Sequence, residues 1–111
     1  MDRSQAKKLL PRFLNAVTGM AVSRGPVHAR LAEVVIQIVV FSEEDFPERL
    51  KGPYRELRSL ISSPVVPQHS VNHPDHRKTV PAYYLSPKKA RRAVDIINEI
   101  LEAVVFALND D

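Results

Sequence analysis

Pro26-Val27-His28-Ala29-Arg30-Leu31-Ala32-Glu33-Val34-Val35-Ile36-Gln37-Ile38-Val39-Val40-Phe41 is the stretch on which the fold turns. Read as a helix, it sets Arg30, Glu33 and Gln37 at i, i+3 and i+7, one narrow polar stripe on an otherwise apolar cylinder. Read as a strand, the β-branched run Val34, Val35, Ile36, Ile38, Val39 and Val40 suits a buried sheet. A strand needs partners, and no other segment alternates apolar and polar residues convincingly. The helix reading follows, and with it an all-α class. Pro26 fits a first helical position. A helix with so thin a polar stripe is expected at the centre of the fold, buried nearly all round.

Upstream, residues 4–22 read as a helix. Ser4 is the expected N-cap, and Leu10, Phe13, Leu14, Val17 and Ala21 recur at helical spacing. Pro11 either kinks this helix or opens a shorter one. Ser23-Arg24-Gly25-Pro26 breaks the chain, and His28 just beyond it reads as a structural histidine.

Downstream, Ser42-Glu43-Glu44-Asp45 has the form of a helix start, with a cap and three acids at the positive end, limited by Pro47. Gly52-Pro53 reads as a boundary, and Pro53 to Ile61 as a short helix. Residues 62–86 hold Pro64, Pro67, Pro74 and Pro81 and show no periodicity, so a long loop is expected there. Residues 87–108 form the surest element. Ser86 caps, Pro87 takes the first position, and Ala90, Val94, Ile97, Leu101, Val104 and Leu108 make an apolar stripe that Ile100 and Val105 widen. The stripe is too short for a long coiled coil, and it can serve as a bundle face or a homodimer seam. Together these readings predict one helical domain over residues 1–111, a bundle of four to five helices with the 62–86 loop before the last one.

The composition supports one ordinary globular core: 111 residues, 44% hydrophobic, 26% charged, nine prolines and no cysteine. The missing cysteines exclude disulfides, thiol catalysis and cysteine-ligated metal clusters. The most apolar segment, residues 31–41, is far shorter than the roughly 20 residues that span a bilayer. The first eight residues have no signal-peptide character. The expectation is a soluble cytoplasmic chain without membrane contact and without a cofactor.

The formal charge of +3 conceals blocks: residues 1–30 carry +5, 31–48 carry −5, 49–76 carry +2, 77–94 carry +6 and 95–111 carry −5. The plainest reading pairs acidic and basic blocks within the fold. One placement resists it. Lys88, Lys89, Arg91 and Arg92 open the last helix, at its positive end, while Asp110 and Asp111 follow its negative end. An anion at the helix start would resolve the conflict. Arg77 and Lys78 extend the patch, and Tyr83 and Tyr84 beside it could stack on bases. These eight residues are the candidates for binding phosphate or nucleic acid.

His69, His73 and His76 lie within eight residues, with Asp75 among them. Pro74 interrupts any helix that would align them as metal ligands, and the ordinary reading is solvated loop histidines. No P-loop, dinucleotide fingerprint, nucleophile elbow or zinc-protease motif occurs.

The order of a helical pair, a Pro-rich loop and a long final helix opening with Ser86-Pro87 resembles HEPN-type bundles over the C-terminal half. Many of these are RNases, whose chemistry rests on an Arg, a polar residue and a His a few positions on. Here Arg58 and Ser59 are followed by Ser63 and Pro64 where the His would stand, so no site residue is carried over.

Three functions are therefore expected, in this order. The first is a non-enzymatic binding or regulatory module acting through protein contacts, with a second copy as a natural partner. The second is a nucleic-acid or phosphate-binding protein using the start of the last helix. The third is a hydrolase or nuclease using the histidine loop.

Overall fold

The computed structural model describes residues 1–109 and places four α-helices in the order α1 (Arg3–Val22), α2 (Val27–Val39), α3 (Glu48–Ser62) and α4 (Pro87–Asn109). No strand occurs among the described residues. The β-branched run of residues 34–40 thus lies largely in α2. Asp110 and Asp111, which the charge argument invoked, lie outside the described residues.

α1 starts two residues' reach earlier than its sequence suggested. Asp2, not Ser4, is the cap: its carboxylate accepts from the Gln5 N–H at 2.8 Å, and the Gln5 side chain accepts from the Asp2 N–H. The helix then runs through Pro11. Both Lys7, whose carbonyl Pro11 cannot serve, and Pro11 itself are exposed residues. Gly25, at φ 104°, makes the turn into α2 in a conformation that disfavours a side chain. Pro26 is the cap residue, extended at φ −67° and ψ 164°, and the helix proper starts at Val27.

α1 and α2 are antiparallel. Arg12 donates to the Gln37 side chain at one end, and Arg30 donates to the Met20 carbonyl at the other. Between them the backbones close in at Gly19, where a Cβ would stand 2.7 Å from Val34 Cγ1. α4 runs antiparallel to α1 on its other side, with the Arg3 guanidinium donating to the Leu108 carbonyl at 2.9 Å.

Ser42-Glu43-Glu44-Asp45 makes only one 3-10 turn, in which the Ser42 N–H donates to the Asp45 carboxylate. The helix start comes at Pro47 instead, and α3 passes through Gly52-Pro53. The clash that usually ends a helix before proline involves the preceding Cβ, which Gly52 lacks. The Gly-Pro pair that looks like a boundary is therefore what lets α3 continue.

An aromatic cluster locks α1, α2 and α3 together. Phe46 stacks on Tyr54 at 4.1 Å between ring centres, and Phe13 meets Phe41 and Phe46 at 6.0 and 6.1 Å. All four rings are buried. The Tyr54 hydroxyl lies 2.9 Å from the Ile38 carbonyl and also reaches that of Phe41, satisfying the end of α2. Arg58 donates to the same Phe41 carbonyl at 3.0 Å.

Residues 62–86 are not a featureless loop. Three 3-10 turns form in it, Gln68–Ser70, His76–Thr79 and Pro81–Tyr84, and the last two pack on α2. Ala82 and Leu85 enter the core from it. The cover ends before α2 does. Ala29 and Ala32 are buried, whereas Glu33, Ile36 and Val40 are exposed, so α2 is not buried nearly all round as its thin polar stripe suggests, and its second half is the more open.

Candidate interaction surfaces

The start of α4 keeps part of the expected basic face. Ser86 caps the helix, its hydroxyl accepting from the Lys89 N–H at 3.3 Å. Lys88, Lys89, Arg91 and Arg92 all lie on the surface. Arg92, however, is committed. It donates to both oxygens of Glu56 in α3, at 2.7 and 2.9 Å, and this bond holds the Glu56 carboxyl below the usual glutamate range. The acidic block 43–48 pairs elsewhere. Glu43 takes Arg55, Asp45 takes Lys8, and Glu48 takes Lys51. The Arg55 and Lys8 bonds likewise hold the Glu43 and Asp45 carboxyls below their ordinary values.

The rest of the predicted patch is largely used in folding. Arg77 donates to the Arg24 carbonyl at 3.0 Å and lies near the carboxylates of Asp75 and Glu33. Tyr84 donates to the Lys78 carbonyl at 2.6 Å. Tyr83 packs edge-on against His28, 4.9 Å between ring centres, and against Tyr84. Both tyrosines are half-buried, so neither presents an open face of the kind a stacking platform needs. Lys78 is half-buried as well.

His69 and His73 share a shallow hollow with Ser70, Lys78, Tyr83 and Tyr84, and His76 stands outside it. His73 Nδ1 accepts from the Asp75 N–H at 2.9 Å, a bond that shapes the turn. Among the described residues, no three His, Asp or Glu side chains gather closely enough to hold a metal ion.

The α4 stripe that the sequence offers as a bundle face or a homodimer seam is partly open where α1 and α4 lie side by side. The buried face of α4 is centred on Ala93, Ile96, Ile97, Ile100 and Val104. That centre is rotated from the stripe read in the sequence. Val94, Leu101 and Leu108 are only half-buried, and Val105 is 40% exposed. On α1 the same rotation leaves Leu10 and Val17 half-buried and Leu14 48% exposed. The antiparallel register is fixed by Arg3 at Leu108 and by Val17 near Val94, so Leu10 lies level with Leu101, Leu14 about one turn further toward the cavity, and Val105 and Leu108 one and two turns toward the other end. One apolar strip thus runs along both helices, with exposed Lys7 at its α1 rim and exposed Glu102 at its α4 rim. The signal was in the sequence: each helix has more apolar positions than one face can bury. At the far end the strip opens into a cavity walled by Val17, Met20, Ala21, Val27 and Val94, with Arg30 and Asn98.

No helix among the described residues is long and apolar enough to cross a membrane. The chain matches no family model, no curated protein and no solved structure.

Proposed function

We propose that this chain is a non-enzymatic helical binding module that works through protein contacts, and that its partner is a second copy of itself. The observation that carries the reading is the apolar strip of Leu10, Leu14, Leu101, Val105 and Leu108. Isolated exposed apolar side chains are ordinary on any surface; exposed Leu14 and Val105, joined by half-buried Leu10, Leu101 and Leu108 over two helices, support an interface there.

Size and charge favour self-pairing. Two adjacent helices of about 30 Å present roughly 600 Å². Doubled across a two-fold axis, that reaches the lower end of what stable interfaces bury, roughly 1,200 Å². Laying α1 of one copy over α4 of the other sets the Lys7 rim against the Glu102 rim, an isologous match. The expected product is a concentration-dependent dimer built as a four-helix layer. Leu14→Glu tests it, because a charge in the middle of the strip opposes association while leaving the monomer core untouched.

A second reading rests on Lys88, Lys89 and Arg91, which stay exposed at the positive end of the α4 dipole. That arrangement suits phosphate groups of a nucleic acid. Three cations make a weaker patch than the six of the block in the sequence.

A further inference from the structure

The cavity between α1, α2 and α4 contains a charge with no counter-charge. Its walls are Val17, Met20, Ala21, Val27 and Val94, and its volume is about 200 Å³. Arg30 and Asn98 supply its polar groups. Arg30 donates to the Met20 carbonyl at 3.3 Å, a contact that serves the C-terminal end of α1. That uses one of five guanidinium donors. Arg30 Nε is buried with no hydrogen-bond partner, and Arg30 forms no ion pair among the described residues. The acids of the 31–48 block that form ion pairs do so elsewhere: Glu33 with Arg77, Glu43 with Arg55, Asp45 with Lys8 and Glu48 with Lys51.

A half-buried guanidinium against apolar walls is costly unless an anion completes it. The planar fork matches a carboxylate in two parallel bonds. The apolar walls ask for a hydrocarbon tail, which a hydrated inorganic anion lacks. The volume lies below the range of about 300–1,000 Å³ typical of drug-sized sites, so the tail is short.

We infer that this cavity binds a small amphipathic carboxylate, with its head on Arg30 and Asn98 and its tail along Val17, Met20, Ala21, Val27 and Val94. This site adjoins the self-association strip without sharing Leu10, Leu14, Leu101, Val105 or Leu108, so it does not depend on the dimer.

The test is a titration of the isotope-labelled full chain with octanoate, followed through its amide and methyl resonances. The expected result is saturable binding, with shifts concentrated at Met20, Val94 and Asn98. Acetate, which lacks the tail, and octanol, which lacks the charge, should each bind at least about tenfold more weakly. Arg30→Met removes the charge and should lose about tenfold or more. Because it also removes the Met20 contact, Val94→Phe is the companion variant: it fills the cavity, keeps Arg30 in place and should lose octanoate binding as well. Leu14→Glu should bind octanoate as the wild type does, which separates this site from the dimer. No octanoate shifts at millimolar concentration would overturn the inference. So would octanol binding equal to octanoate, or undiminished binding to folded Val94→Phe.

Discussion

Arg92 at the start of α4 grips both carboxylate oxygens of Glu56 in the middle of α3. The cation sits at the positive end of its helix, where the dipole disfavours it, and Glu56 supplies the compensating charge. The carboxyl is held low in the folded state chiefly by that bond. A depressed carboxyl contributes stability above its unfolded pKa and loses it as pH falls through the folded value. Glu56→Gln should therefore unfold at slightly lower urea than the wild type at about pH 7, and the gap should close by about pH 3. High salt should narrow it too, since both groups are exposed. An equal gap in acid and at neutrality would show that the residue acts through packing.

The same pair shrinks the basic face to Lys88, Lys89 and Arg91. Oligonucleotide binding through these three would give a plot of log affinity against log salt with a slope of about −3. Reversing all three to Glu should abolish binding and leave the helical circular dichroism unchanged. A slope near −6 would bring Arg77, Lys78 and Arg92 into the contact, against the pairings seen here.

Tyr54 joins α3 to the end of α2. Tyr54→Phe removes a buried hydroxyl from the Ile38 and Phe41 carbonyls, which keep the Val40 and Phe41 N–H groups and Arg58 as other donors, so the cost is that of one net hydrogen bond, about 0.5–1.5 kcal/mol by denaturant unfolding. Burial pushes the Tyr54 phenol above its ordinary value. For a raised acid, the fold's advantage is complete below the unfolded pKa near 10 and is lost as pH rises through the folded value. The wild type should lose stability in alkali more steeply than Tyr54→Phe. Parallel alkaline curves would contradict this role.

Gly19 permits α1 and α2 to touch. Alanine favours helix by about 1 kcal/mol over glycine, so a surface argument predicts that Gly19→Ala stabilises. The structure predicts the opposite, a loss of about 1–3 kcal/mol, because the new methyl would meet the stiff Val34 side chain at 2.7 Å. Adding Val34→Ala should recover part of the loss relative to Val34→Ala alone. Thermal unfolding of the four proteins completes the cycle.

Helix formation was legible wherever apolar periodicity and a cap coincided. Ser86-Pro87 marked the start of α4, and the want of any partner strand decided for a helix over the β-branched run of α2. Proline misled at Gly52-Pro53, where α3 runs on without the clash that a Cβ before proline brings, whereas the helix running through Pro11 was one of the two readings open there. Residues 62–86 were opaque because 3-10 turns close i to i+3 bonds without an apolar repeat. Their cover over α2 depends on tertiary contacts such as Ala82 and Leu85. The basic cluster was legible as charge, but its partners were not. Arg92 found Glu56, 36 residues away in sequence, and no charge block announced that pairing. The apolar strip needed the structure to show which edge of each stripe the core leaves bare.

Native mass by sedimentation equilibrium reads self-association through α1 and α4 directly. The 12.5 kDa chain should reach twice that mass as concentration rises, and Leu14→Glu should stay monomeric with unchanged helicity. A wild type that remains monomeric at high concentration, or a Leu14→Glu variant that pairs as the wild type does, would contradict it.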